Sequence, residues 1–168
     1  MHLNFLANIL AFLAVIAYIF TLLPSMVRAL LPQFKSTKLV IFSLRHRRNI
    51  GILAFSLALF HGVWIGIERQ LDFYKFETYI KYFQGLALLT IFTLLALTSN
   101  NWSVQHMKKN WRRLHYLTFL ALFVLPWHII DKKQGNWSFL TPISLFLAFL
   151  FIGFFIWRNI QDYRNKKK

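Results

Sequence analysis

The chain of 168 residues contains no cysteine. Disulfides, thiolate-ligated haem and cysteine-held iron–sulfur clusters are therefore excluded. Acidic residues are almost as scarce: five Asp and Glu stand against twenty Lys and Arg, for a net charge of +15. All five carboxylates fall in connecting segments or the C-terminal tail, which argues against a proton-coupled transporter built on intramembrane carboxylates. There is no P-loop, no G-x-G-x-x-G, no H-E-x-x-H and no pair of carboxylates at catalytic spacing. Internal repeats and low-complexity segments are also missing. The first twenty-odd residues lack the basic start and small-residue cleavage site of a signal peptide.

What is present is apolar. Hydrophobic residues make up 57% of the chain and aromatics 18%. A soluble domain of this size needs far more polar surface, so one all-α integral membrane bundle is expected, with no room for a second soluble domain. Five spans are expected, at about residues 3–23, 50–67, 82–97, 114–130 and 139–157, within a single domain covering 1–168. Pro24 fits a helix end. The short apolar run Leu39–Leu44 either lies at the interface or extends the second span.

Charge placement gives the orientation. The connection after the first span carries six Lys and Arg, Thr98–Arg113 carries four and the tail five. Arg69, Lys75, Lys81, Lys132 and Lys133 lie on the other side with four of the five acidic residues. The positive-inside rule then places the N-terminus outside and the C-terminus in the cytoplasm, in a multi-pass membrane protein. The same bias accounts for the net charge without nucleic acid.

An imidazole inside a bilayer helix is costly and marks a candidate functional site. His61 lies 11 residues into the second span and His128 lies 14 into the fourth. Alternating topology makes these helices parallel, so the two histidines reach similar depth in the outer half. Two imidazoles across a bundle form a bis-histidine site for b-type haem. The competing reading is that each merely bonds a neighbouring carbonyl. His115 sits at the cytoplasmic mouth, 13 positions before His128, and an ideal helix turns the two about 140° apart. Pro126 offers a kink that could re-aim His128. A second haem at His115 needs a ligand near Arg47, which cannot bind iron; His46 is adjacent, on an expected loop. Arg47, Arg48, Arg112 and Arg113 are either partners for haem propionates or topology signals. Gly62-x-x-x-Gly66 allows close approach of a macrocycle or a helix. Trp64, Trp102, Trp111, Trp127, Trp137 and Trp157 read as interfacial belt residues, Trp127 also as a candidate porphyrin contact. His2 and His106 read as surface histidines.

Arg47-Arg48-Asn49-Ile50-Gly51…His61, with Phe55 and Ala58 between, is followed by Leu97-Thr98-Ser99…Trp111-x-x-Leu114-His115 and Pro126-x-His128. At these residues the chain resembles the ferric reductase-like transmembrane domain family, and within it the haem-binding membrane subunits of bacterial methionine sulfoxide reductase systems. The resemblance implies b-type haem, histidine ligation at His61, His115 and His128, and electron transfer across a membrane. Broader relatives have a fourth histidine where this chain has Arg47. Relatives in the nearer branch usually open with one more helix, whose lack here suits an outward N-terminus. The family's flavin and nicotinamide domains have no counterpart. Electrons are thus expected from a separate cytoplasmic reductase, carrying flavin, or from quinol. The acceptor expected from the resemblance is an outward-facing methionine sulfoxide reductase subunit or ferric iron. The chain would then be the haem-carrying electron-transfer subunit of an oxidoreductase system. The alternative is a non-redox membrane scaffold or small-solute carrier with structural histidines.

Overall fold

The computed structural model describes residues 2–132 and 138–167. Lys133, Trp137, Lys168 and most of the expected turn at Asp131–Trp137 lie outside the described residues. Among the described residues there are eight α-helices and no strand: α1 (His2–Leu30), α2 (Lys38–Glu68), α3 (Phe76–Lys81), α4 (Phe83–Leu97), α5 (Asn101–Met107), α6 (Lys109–His115), α7 (Leu117–Lys132) and α8 (Leu140–Lys166), with a 3-10 turn at Pro32–Phe34. This is the expected all-α membrane bundle. Phe5–Leu30, Lys38–Glu68, Lys109–Asp131 and Leu140–Asn165 are each long and apolar enough to cross a bilayer, and α4 and α5 pass the same test only as a pair bent by 91°.

Two boundaries differ from expectation for one reason. Helix α1 runs through Pro24 for 29 residues, and α2 begins at Lys38, so Leu39–Leu44 extends the second span and His46 lies on a helix, not a loop. Hydropathy marks where the membrane ends, whereas helix propensity marks where the helix ends, and Arg and Leu both favour helix. At 31 residues, α2 is about 46 Å long and overreaches a hydrocarbon core of about 30 Å.

The third span is short, at 15 residues in α4. Hydrogen bonds from Tyr82 N–H to Thr78 and from Leu86 N–H to Tyr82 carry the helical pattern across from α3. At the other end the chain bends by 91° into α5. Four polar residues make that corner. Thr98, Ser99 and Asn100 donate from their side chains to the carbonyls of Leu94, Leu95 and Leu97. Asn100 Oδ1 also accepts from Ser103 N–H at 2.7 Å and so caps α5, while Asn101 opens that helix. Side chains thus satisfy backbone groups that both helix ends leave open.

Helix α1 is the central element. Of its most apolar stretch 44% is buried, against 6% for α2. Tyr18, Leu22 and Met26 of α1 pack with Ala54 of α2, Leu88 and Ile91 of α4, Ala121, Leu122 and Leu125 of α7, and Ala148 and Phe151 of α8. The buried Tyr18 hydroxyl donates to the Thr118 carbonyl on α7, and its ring lies 5.2 Å from Phe92 on α4. One residue therefore ties three helices together.

Helix directions follow from paired contacts. Arg48 meets Asn101 at 2.9 Å and the Gly62 Cβ position faces Leu89, so α2 and α4 are antiparallel. Gly85 meets His128 and Thr98 meets His115, so α4 and α7 are antiparallel too. Helices α2 and α7 are consequently parallel, as the spacing of His61 and His128 required.

Candidate functional site

A cavity of about 500 Å³ lies among α1, α2, α4 and α7, in the half of the bundle holding the N-terminal part of α1. That volume is within the range of cofactor sites, about 300–1,000 Å³. His61 and His128 both line it, so the structure brings this pair to one space. Ala11, Ala14, Tyr18, Leu88 and Phe92 form apolar walls. Leu71 and Phe73, from the connection between α2 and α3, border it as well. That connection is held by the Leu71 N–H bond to Gly66, by Thr78 Oγ1 on the Asp72 carbonyl at 2.7 Å, and by Tyr74 N–H on Asp72 Oδ1 at 3.0 Å.

His61 Nδ1 stands 2.9 Å from the main-chain carbonyl of Ala7 on α1. A carbonyl only accepts, so Nδ1 carries the proton and the lone pair of a neutral ring is on Nε2. This is how ligating histidines are commonly oriented. His128 stands two residues past Pro126, which removes an amide donor from the carbonyl of Leu122. Its ring lies against the backbone of α4: a Cβ added to Gly85 would stand 3.0 Å from His128 Cε1. Gly62 and Gly66 both line the cavity, and an added Cβ there would meet only Leu89 at 3.9 Å and Phe73 at 3.8 Å. This G-x-x-x-G borders open space and is not a tight helix crossing.

His115 does not line this cavity. Its Nε2 lies 3.2 Å from Thr98 Oγ1, and its ring stacks on Trp111 at 4.0 Å between centroids. Trp111 Nε1–H in turn donates to the Thr98 carbonyl at 2.9 Å. Thr98 Oγ1 also lies 2.7 Å from the Leu94 carbonyl. His61 thus meets Ala7 through Nδ1, whereas His115 meets Thr98 through Nε2.

The remaining expectations separate by position. Arg47, Arg48, Arg112 and Arg113 are exposed and none lines the cavity. Arg48 bonds Asn101. The His46 ring packs at a tilt against Phe42, 4.6 Å between centroids, one turn earlier on the same helix. His106 is an exposed histidine stacked on Trp102. Trp102, Trp127 and Trp157 are exposed, as belt residues are, and Trp127 does not border the cavity. Trp111 instead joins the His115 cluster. Among the described residues no three His, Cys, Asp or Glu converge on a metal position. Sequence reasoning missed Gly85, Tyr18 and Phe73. A lone glycine in the apolar run of α4 was the signal for the first; nothing local singled out the other two.

The family model described as ferric reductase like transmembrane component matches residues 6–126, which takes in His61 and His115 and stops short of His128. Two curated relatives are the protein-methionine-sulfoxide reductase heme-binding subunits MsrQ of Brucella anthropi and Brucella ovis. Each is 29% identical over 130 residues, covering 74% of this chain and 57% of the relative. The chain thus spans little more than half the length of the relatives it matches. No solved structure matches.

Proposed function

Because the chain belongs to the ferric reductase-like transmembrane family, we propose that it is a haem-carrying subunit relaying electrons across a bacterial plasma membrane. One observation carries this reading: the apolar cavity that His61 and His128 line together. The residues fit haem b. The cavity has the volume, Gly62 and Gly66 leave room where a side chain would intrude, and the two imidazoles are nitrogen donors of the kind haem iron takes. Haem supplies a one-electron iron couple when bound.

The chain's own residues hold and insulate that group. The Ala7 carbonyl orients His61 and raises the basicity of its ring. The walls from Ala11 to Phe92 exclude water, and Leu71 and Phe73 border one side. His115 is engaged with Thr98 and Trp111, which favours one firm haem at His61 and His128 and a weaker second one, if any, at His115. In that reading the four arginines chiefly set orientation, and would meet propionates only of a group bound at their own end. Residues 1–168 act as a single domain, with the N-terminus outside. The donor is a separate cytoplasmic reductase, through its flavin, or quinol. The acceptor is an outward-facing methionine sulfoxide reductase subunit, as the relatives' name suggests, or ferric iron.

The test is a reduced-minus-oxidised visible spectrum of the purified protein, expected to show a low-spin b-type haem. A haem-free protein would reject the reading in favour of a scaffold or carrier. Orientation is checked separately: a reporter after Lys168 should be cytoplasmic and a tag in Asp131–Trp137 accessible from outside. Both on one face would reject the topology.

A further inference from the structure

Among the described glycines, Gly85 is the one against which another side chain presses. A Cβ built on it would lie 3.0 Å from His128 Cε1, 3.5 Å from Nδ1 and 4.0 Å from Nε2. Carbon atoms at rest stand about 3.5–4.0 Å apart, so the bare backbone of α4 abuts the edge of the imidazole. The other helix glycines differ. Added Cβ atoms at Gly51, Gly62 and Gly66 make ordinary contacts at 3.8–3.9 Å, and at Gly153 nothing lies within 4 Å. Glycine is disfavoured relative to alanine inside a helix, and the contact with His128 is a reason for it to stand at this position.

We propose that Gly85 is a positioning residue for His128: the side-chain-free backbone of α4 sets where the imidazole stands in the cavity, and any substituent at this position displaces it. The consequence for haem rests on the reading of His61 and His128 as a ligand pair; the contact itself does not. Displacing the His128 imidazole by a few tenths of an ångström would weaken its hold on an iron, while His61, bonded to the Ala7 carbonyl, would stay in place. The signature is therefore a change in ligation and not a simple loss of fold.

The experiment compares Gly85→Ala with the unaltered protein and with Gly153→Ala, which controls for a generic gain in helix propensity. Gly85→Ala should convert part of the low-spin spectrum to high spin, shift the midpoint potential and speed haem loss, while Gly153→Ala changes none of these. A Gly85→Ala spectrum and midpoint equal to the unaltered protein's would overturn the assignment. Thermal melting of Gly85→Ala, His128→Ala and the double variant gives a second, haem-independent arm. Gly85→Ala should lower the melting temperature when His128 is present and leave it equal or raise it when His128 is alanine. An equal drop in both backgrounds, or a double variant that fails to fold where His128→Ala folds, would also overturn it. Haem missing from the unaltered protein would reject the functional reading, while the melting cycle would still decide whether Gly85 positions His128.

Discussion

Each end of the bundle sets histidine against α4, and the two ends treat it differently. At the end holding His61 and His128, imidazoles border a cavity of about 500 Å³ with apolar walls. At the other end, His115 stands against its neighbours: Trp111 stacks on its ring and Thr98 Oγ1 lies 3.2 Å from Nε2. His61 is also hydrogen-bonded, to Ala7, so having a partner does not separate the two classes. What separates them is which nitrogen meets that partner and whether the residue borders the cavity. A bond at Nδ1 prepares a histidine to ligate through Nε2, whereas a hydroxyl at Nε2 engages that nitrogen in structure.

The sharpest way to break this comparison is to remove the histidines. His61→Ala and His128→Ala should each lose most of the haem, by similar amounts, with the double variant little worse, because two ligands of one iron act as a unit. Full haem with an unshifted low-spin spectrum in either variant would show that the cavity is not the site. His115→Ala should leave that spectrum intact.

Tyr18→Phe should have the next largest effect, on stability. It removes the bond to the Thr118 carbonyl, which joins the cavity wall to the start of α7. Hydrogen bonds between membrane helices contribute about 0.6–1.7 kcal/mol, read as a lowered melting temperature with haem retained. An unchanged melting temperature would mean that packing alone holds the three helices.

Thr98→Val and His115→Ala should each cost about 0.5–1.5 kcal/mol, and together less than their sum, because they cut one cluster. Additive losses would show that the cluster is not a unit. Arg48→Ala should cost least, below about 1 kcal/mol, since Arg48 and Asn101 both stay hydrated. A large loss there would mean that the 91° corner between α4 and α5 depends on Arg48 and not on its own polar side chains.

Much of this was legible in the residues themselves. Apolar runs of spanning length declared the bundle, because a bilayer core forces every backbone polar group into helix. The Arg47–Gly51, His61, Thr98 and Trp111–His115 pattern pointed to the family. The depths of His61 and His128 in parallel spans foretold that they would share a space. Less legible were Pro24 and the six Lys and Arg after it, which read as a long connection although most of that segment is helix. Basic residues mark the membrane boundary without ending a helix.

The sequence by itself determined an all-α membrane bundle and the shortlist of imidazoles. Both depend on local chemistry: the length of an apolar run, and the cost of a polar ring in hydrocarbon. Only the tertiary structure decided that His61 and His128 border a cavity while His115 lies outside it against Trp111 and Thr98, and that Gly85 is where α4 touches His128. Those outcomes depend on which helix faces which and at what distance. Residues 43 positions apart, such as Gly85 and His128, carry no local sign that they will meet.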